Sequence, residues 1–453
     1  MLLELCDRVL ELVGTRAEAE VTAVAGRSAL TRFANSRIHQ NVAEDAVHLR
    51  LRVAVGGRVA ASSSTRVDSN GLQRLVAATL EAAALRPLDP EWPGVGPAGV
   101  GLALPAAERY DGATREAPPD QRAAVVEAFV AAAGGLEAAG YCSSSGADVA
   151  FANSAGRRVS ARTSSATVDG IVRAPGPAAA GPDPRPSTAD GSGWQTAGRL
   201  AELDGAAAGR TAAAKARGGA GPDPVELAPG HYPVVLEPAC VADMVDFLVA
   251  HGFSAQAVAE GRSFVRLGEP QLDAAVSLWD DATDPRSVDL PFDAEGTPRR
   301  RVDLVAGGIP VGLLHDRRTA ARAGVESTGH ATPGGESYGP APSTLFVGPG
   351  TATLDDLVAG VERGLLVTEL WYTRILDPKT SVVTGLTRNG TFLIENGQVS
   401  NSVRNLRFTQ SYARALAPGN VVGVGSDARL RDGAAVVPSL SLASWNVTGG
   451  ASG

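Results

Sequence analysis

GLLVTELWYTRILDPKTSVVTGLTRNGTFLIENGQVSNSVRNLRFTQ, residues 364–410, reads as strand from end to end. Leu365, Leu366 and Val367 run into Thr368-Glu369-Leu370 as a buried strand does, and Ser381 to Thr384 adds a second β-branched run. Phe392, Ile394 and Val399 fall at strand positions around Asn396-Gly397, with Asn389-Gly390 just upstream. Asn-Gly supplies the two positive-φ residues of a type I′ hairpin turn, so both dipeptides are expected to be tight turns. The stretch is an antiparallel meander. That defines architecture and leaves activity open.

A chain of 453 residues exceeds what one hydrophobic core usually serves, so two domains are expected. The pattern implies an α+β fold: an N-terminal α/β-type domain over 1–217 with mixed or antiparallel sheet and helices, a linker at 218–230, and a mostly antiparallel β domain over 231–453. In the first domain, Glu18 to Val24 and Ser28 to Gln40 read as a strand pair. Val47, Leu49, Leu51, Val53 and Val55 alternate strictly, and Gly56-Gly57 turns that strand into the next. Asp68 or Ser69 then caps a helix carrying Leu72, Leu75, Val76 and Leu80, which stops before Pro87. Residues 87–107 form a loop, and a helix with Val125, Val126, Phe129 and Val130 on its apolar side follows Pro118-Pro119-Asp120. Short strands are expected from Tyr141 to Val172, a mobile segment from Ala174 to Pro186, and an Ala-rich helix from Trp194 to Arg217. The second domain is expected to have one helix near its start and loops from about 293 to 344.

Composition narrows the function. Formal net charge is −8 and the basic residues are scattered apart from Arg299 to Arg301, so there is no stripe to track a phosphate backbone. Nucleic-acid binding is disfavoured. Cys6, Cys142 and Cys240 are an odd number at wide spacings and form no disulfide framework, which suits a reducing, cytoplasmic location. Leu2, Leu5, Val9 and Leu12 recur at helical spacing but are interrupted by Glu4, Asp7 and Glu11, so the start reads as an amphipathic helix rather than a signal peptide. No run of eighteen apolar residues exists to span a membrane. The abundance of Ala and Gly reads as genome composition.

The residues alone offer few sites. His315 and His330 flank a loop with Glu326, and Glu336 lies just beyond; a His, His, Glu set of this kind is a candidate zinc site. Its spacing fits no compact metal motif, and Asp316-Arg317-Arg318 competes by pairing, so a structural or substrate-positioning role is favoured. His39, His48 and His231 stand isolated among strand residues. Ser62 to Ser64 and Ser143 to Ser145 lack a GxSxG elbow. Gly423-Val424-Gly425 lacks the third glycine of a dinucleotide fingerprint.

The words themselves are more specific: LLVTEL (365–370), TGLTRNGTFLIENG (384–397), Val403-Arg404-Asn405 and Gly425-Ser426-Asp427, in that order. With TRFANSRIHQN (31–41), HDRRTAARAG (315–324) and STGH (327–330), they span nearly the whole chain. This order resembles the TldD/PmbA family, and particularly its TldE (PmbA) branch. The resemblance implies that in the TldD branch a helix bears HExxxH, whose histidines hold zinc while the glutamate activates the bound water, with a cysteine near the C-terminus as third ligand. The corresponding stretch here is PVVLEPACVADMVDFLVAHG, residues 233–252. Aligning strand and turn puts Asp246 at the first histidine, Phe247 at the glutamate and His251 at the second histidine. No cysteine follows Cys240. The simpler account is a helix with Met244, Phe247 and Leu248 in the core and His251 near its C-terminus, where the dipole favours a cation.

No catalytic residue and no metal are therefore expected in this chain. What the resemblance implies is a TldE-like, non-zinc subunit of a cytoplasmic heterodimeric metalloprotease, whose TldD-like HExxxH partner supplies the zinc while this chain helps hold extended or unfolded peptide through strand edges. Two alternatives stand beside it. One is a stand-alone metal-dependent amide or peptide hydrolase of small peptide-like metabolites, using His251 or the His315–His330 loop; the other is a non-catalytic homodimeric binding protein.

Overall fold

The alternation at 47–55 belongs to one arm of a long hairpin. A computed structural model describes residues 1–98, 110–175, 188–219, 224–335 and 337–450. In it β1 (Glu18–Ala34) pairs antiparallel with β2 (Arg37–Val55) along its whole length, with one bulge at Arg32/Phe33. The turn falls at Asn35-Ser36, both at positive φ. The expected break near residue 26 is absent, because Gly26 lies mid-strand with Ala46 on one side and Ala147 on the other. Gly56 and Gly57, at positive φ, do turn β2 into β3 (Arg58–Ser64). β3 covers only Leu49 to Val55 of its neighbour, so among the described residues the Arg37–His48 half of β2 is hydrogen-bonded on its β1 side alone.

Two further long strands, β4 (Glu137–Asn153) and β5 (Arg158–Pro175), replace the short ones expected there, and β6 (Thr188–Ala197) completes an antiparallel sheet ordered β3-β2-β1-β4-β5-β6. Helices α1 (Leu2–Val13), α2 (Ser69–Leu85), α3 (Gly112–Arg115), α4 (Pro119–Ala132) and α5 (Gly205–Gly218) accompany it. The Asp68 carboxylate accepts the Gly71 N–H and caps α2, whose Leu72, Leu75 and Val76 are buried with α1 against Val21, Leu49 and Val53. A second core joins Phe129 of α4 and the alanines of α5 to Phe33, Val168 and Val172. Trp194, expected in a helix, is in β6; the helix begins only after Asp204, which caps it. A methyl group at Gly191 or Gly193 of β6 would collide with the carbonyl of Ala212 or Ala208, so α5 rests directly on the strand. At this junction small residues are a packing requirement. Apart from Ala174 and Pro175, the segment expected to be mobile lies outside the described residues, as do 99–107 of the expected loop and 220–223 of the linker.

From residue 230 the strands are β7 (Gly230–Leu236), β8 (Leu278–Asp280), β9 (Val302–Ala306), β10 (Ile309–Pro310), β11 (Leu345–Val347), β12 (Arg363–Asp377), β13 (Val382–Glu395), β14 (Gln398–Ser402), β15 (Leu406–Ser411), β16 (Val421–Val424), β17 (Arg429–Arg431), β18 (Ala435–Val437) and β19 (Leu440–Gly450). One sheet runs β10-β9-β8-β11-β18-β17. The other runs β12-β7-β19-β15-β13-β14, and because β12 also pairs with β13 its first five strands close into a ring. Most pairs are antiparallel; β7–β12 and β11–β18 are parallel. The chain has an α+β fold.

Asn396-Gly397, at φ 51° and 73°, makes the expected hairpin turn between β13 and β14. Asn389-Gly390 does not turn the chain. It stays inside β13 as a positive-φ irregularity opposite Val367/Glu369, held there by the Thr368 hydroxyl on both its carbonyls and by Asn389 Nδ2 donating to Glu369 at 2.6 Å. The remaining helices are α6 (Pro238–Gly252), α7 (Ala255–Ala259), α8 (Arg317–Ala323), α9 (Leu354–Ala359) and α10 (Tyr412–Ala415). The expected loop at 293–344 thus contains β9, β10 and α8. Asp316 and Thr319 form a capping box for α8, and Gly324 ends it in the left-handed region, signals already present in the sequence.

One buried ionic cluster joins the N-terminal sheet to this loop. Arg52 of β2 contacts Glu20 of β1 and lies 2.9 Å from Glu295, while Arg317 of α8 reaches Glu20 at 3.5 Å and donates its backbone N–H to Glu295. Both carboxylates are buried. Neighbouring Asp293 is pushed up to about 7 by burial and by Glu295.

Candidate functional site

β7 is fully buried at Val234 to Leu236, and Pro238 starts α6 where no intrahelical N–H is needed. Cys240, Val241, Met244, Val245, Leu248 and Val249 pack inward with Tyr412 and Trp445. The stripe flanking that inward face, at helical spacing, carries Asp243, Asp246, Phe247 and His251. This stripe holds the three positions that the resemblance aligns with the zinc motif. Asp246 is exposed, while Phe247 and His251 are half-buried with ring centroids 6.0 Å apart. Phe247 also meets the Tyr412 ring edge-on at 6.3 Å. Burial, then Arg262, pushes the His251 imidazole below its ordinary value. That is opposite to the direction the helix dipole favours, so desolvation wins.

Asp243 escaped the sequence reading. Its carboxylate accepts hydrogen bonds from Thr373 Oγ1 at 2.7 Å and from the Tyr412 hydroxyl at 3.1 Å, and burial raises it to about 6. Thr373 reaches inward because β12 bulges there: pairing jumps from Trp371 to Arg374, and Tyr372 takes φ 53°, rare for a bulky residue. Trp371 and Tyr372 are exposed, 5.5 Å apart edge to face, with Arg388 over Trp371 at 4.2 Å. An aromatic pair in a strand was the only available signal, and it does not announce a bulge.

Zinc does not fit this face. Asp246 and His251 offer two donors, Phe247 offers none, and among the described residues no three His, Cys, Asp or Glu side chains come together as a metal site. Cys240 sits on the buried side of α6 with its thiol on the Val367 carbonyl.

Of the two loop histidines, His330 has both ring nitrogens engaged. His330 is fully buried, with Nε2 2.9 Å from Asp280 Oδ1 and Nδ1 2.8 Å from Thr328 Oγ1; Ser343 donates to the same carboxylate through both its N–H and its hydroxyl. Thr328, His330 and Asp280 thus follow the order of a hydroxyl–imidazole–carboxylate relay. Thr328 is itself buried and bonded to the His315 backbone, so the arrangement braces the loop. His315 is half-buried and burial lowers its pKa, Glu326 is exposed, and Glu336 lies outside the described residues. Arg318 pairs with Asp89, and Arg322 with Glu91 at 2.5 Å, fastening the loop to the N-terminal half.

The model described as PmbA/TldA metallopeptidase C-terminal domain matches residues 229–449, and that described as PmbA/TldA metallopeptidase domain 1 matches residues 19–83. Together they account for more than half of the sequence, and the chain belongs to the TldD/PmbA family. It is 26% identical over 207 residues to a metalloprotease of Methanothermobacter thermautotrophicus, an alignment covering 44% of each, so the chain spans less than half the length of that relative. It is 28% identical over 159 residues to metalloprotease PmbA of Escherichia coli, covering 34% of this chain and 32% of that one. TldE from Thermococcus kodakarensis superposes with a TM-score of 0.84 over 99% of this chain and 100% of the other, at 18% identity, and so shares the fold.

Proposed function

We propose that this chain is the TldE-like, non-zinc subunit of a cytoplasmic TldD/TldE-type heterodimeric metalloprotease, built from an N-terminal unit (1–217), a linker (218–230) and a C-terminal unit (231–453). The HExxxH partner supplies zinc and cuts, while this chain forms part of the cleft that holds extended or unfolded peptide. One observation supports the reading: Phe247, which the resemblance sets at the general-base position of α6, packs against His251 and Tyr412. A phenyl ring accepts no proton, so Phe247 cannot act as the general base. Main-chain pairing along strand edges would hold peptide largely independently of its side chains.

Co-expression with an HExxxH family member tests this. The pair should co-purify and cleave an unfolded substrate, this chain alone should not, and replacing the partner's motif glutamate should abolish cleavage. About one zinc per chain in this subunit purified alone, lost on His251→Ala, would overturn the proposal.

A further inference from the structure

A groove of about 770 Å3 opens between the end of β6, the loop after β8, and β17. Its size is within the ~300–1,000 Å3 of ligand clefts. Three arginines line it from three separate elements: Arg199 just past β6, Arg286 in the loop, and Arg429 on β17. In a chain of net charge −8 this gathering runs against the overall balance. The acids nearby are largely engaged. Asp284 pairs with Arg286 at 2.8 Å, and buried Glu237, 3.9 Å from Arg429, is already held by Lys215 at 2.6 Å; exposed Glu202 also lines the groove. Arg199 is exposed and makes no ion pair among the described residues.

The wall is also positioned. Arg429 lies 4.4 Å from the Trp194 ring centroid, with Arg431 on the same ring at 4.6 Å, and Arg286 lies 4.8 Å from that of Phe346. Stacking of this kind fixes the planar guanidinium, whose fork matches a carboxylate. β6 and β17 each end their sheet, so the backbone beside these arginines belongs to two sheet edges.

We infer that this groove is a carboxylate-anchoring subsite for an extended peptide, taking its C-terminal carboxylate or an acidic side chain. The inference rests on the peptide-holding role proposed above and adds a preference to it: sheet edges supply affinity indifferent to sequence, and the arginines fix where along the peptide a negative charge must lie. Arg199 supplies an exposed charge that has no ion pair within 4 Å among the described residues, although it also helps hold the nearby Asp111 ionised. Arg429 supplies oriented donors, and Arg286, whose Nε and one Nη hold Asp284, offers only its remaining N–H groups.

Fluorescence anisotropy with the full chain at low salt tests it, using a labelled eight-residue peptide ending in glutamate, its C-terminal amide, and the amide with glutamine in place of glutamate. The acidic peptide should bind roughly tenfold tighter than the neutral one, and the single amide locates the preferred carboxylate. Arg199→Gln, at an exposed position, should remove most of that preference while leaving the neutral peptide unchanged; Arg199→Gln with Arg429→Gln should abolish it. Equal binding of all three peptides, or a variant that weakens all equally, overturns the subsite and leaves the peptide-holding role standing. Binding of none removes both. Inorganic phosphate bound tightly, in a groove indifferent to the peptide carboxylates, would reassign it to phosphate and also overturn the inference.

Discussion

In the N-terminal sheet every pairing is antiparallel and strands adjacent in space are mostly adjacent in sequence, whereas the C-terminal half sets β7 between β12 and β19 and pairs β11 with distant β18. The first half divides its core between α1/α2 and α4/α5; the second gathers one large cluster around α6, Tyr412 and Trp445. A helix packed by strands from the far end of the chain takes its position only when that end has folded. The candidate site therefore depends on the whole C-terminal half, while the N-terminal half reaches α6 through Lys215 of α5, 2.6 Å from Glu237 at the helix start, and joins the C-terminal half elsewhere through the ionic cluster.

Breaking that cluster should give the largest effect. Arg52→Ala removes the main partner of two buried carboxylates, leaving them to Arg317, and is expected to destabilise by about 3–5 kcal/mol. Chemical denaturation followed by both tryptophan emission and circular dichroism checks it, and a separate early N-terminal transition would sharpen the contrast between the halves. A loss below about 1 kcal/mol would show that the cluster does not couple them. Gly193→Val should destabilise by about 1–3 kcal/mol through overpacking of β6 against α5, read from the same denaturation curves.

Asp243→Asn should move stability the other way. With a folded value of about 6 against an ordinary 3.8, Asp243 keeps its proton longer in the folded state. Below 3.8 both states are protonated and the group is neutral in effect; as pH rises from 3.8 to 6 the unfolded state ionises first and stability is lost, and above 6 the loss is complete. The asparagine variant should lack that slope and gain about 1–2 kcal/mol at pH 7.5, measured by melting across pH. The smallest change should come from His251→Ala: under about 1 kcal/mol, with cleavage by the assembled pair unaltered.

Regular alternation made β2 legible, and capping chemistry placed α2, because in both cases the signal lies within a few residues of its effect. The same logic misplaced Asn389-Gly390, where a long-range partner strand and Thr368 keep the pair inside β13. Trp194 went to a helix because alanines dominate the residues after it; the glycines at 191 and 193 that seat that helix on β6 are visible only once the two elements meet. At the site, Asp246, Phe247 and His251 were placed by resemblance. Asp243 was not, since its significance comes from Thr373 and Tyr412, more than a hundred residues away.

The half-paired strand β2 has a practical consequence. From His39 to Asp45 its residues are exposed, and the stretch holds neither proline nor lysine, the usual guards of an open edge. Two molecules can present the same unsatisfied row of peptide groups to one another, so the shelf life of the purified chain should shorten as it is concentrated. A single Ala43→Lys should lengthen it, which makes that position the place to begin when crystals or stocks are wanted.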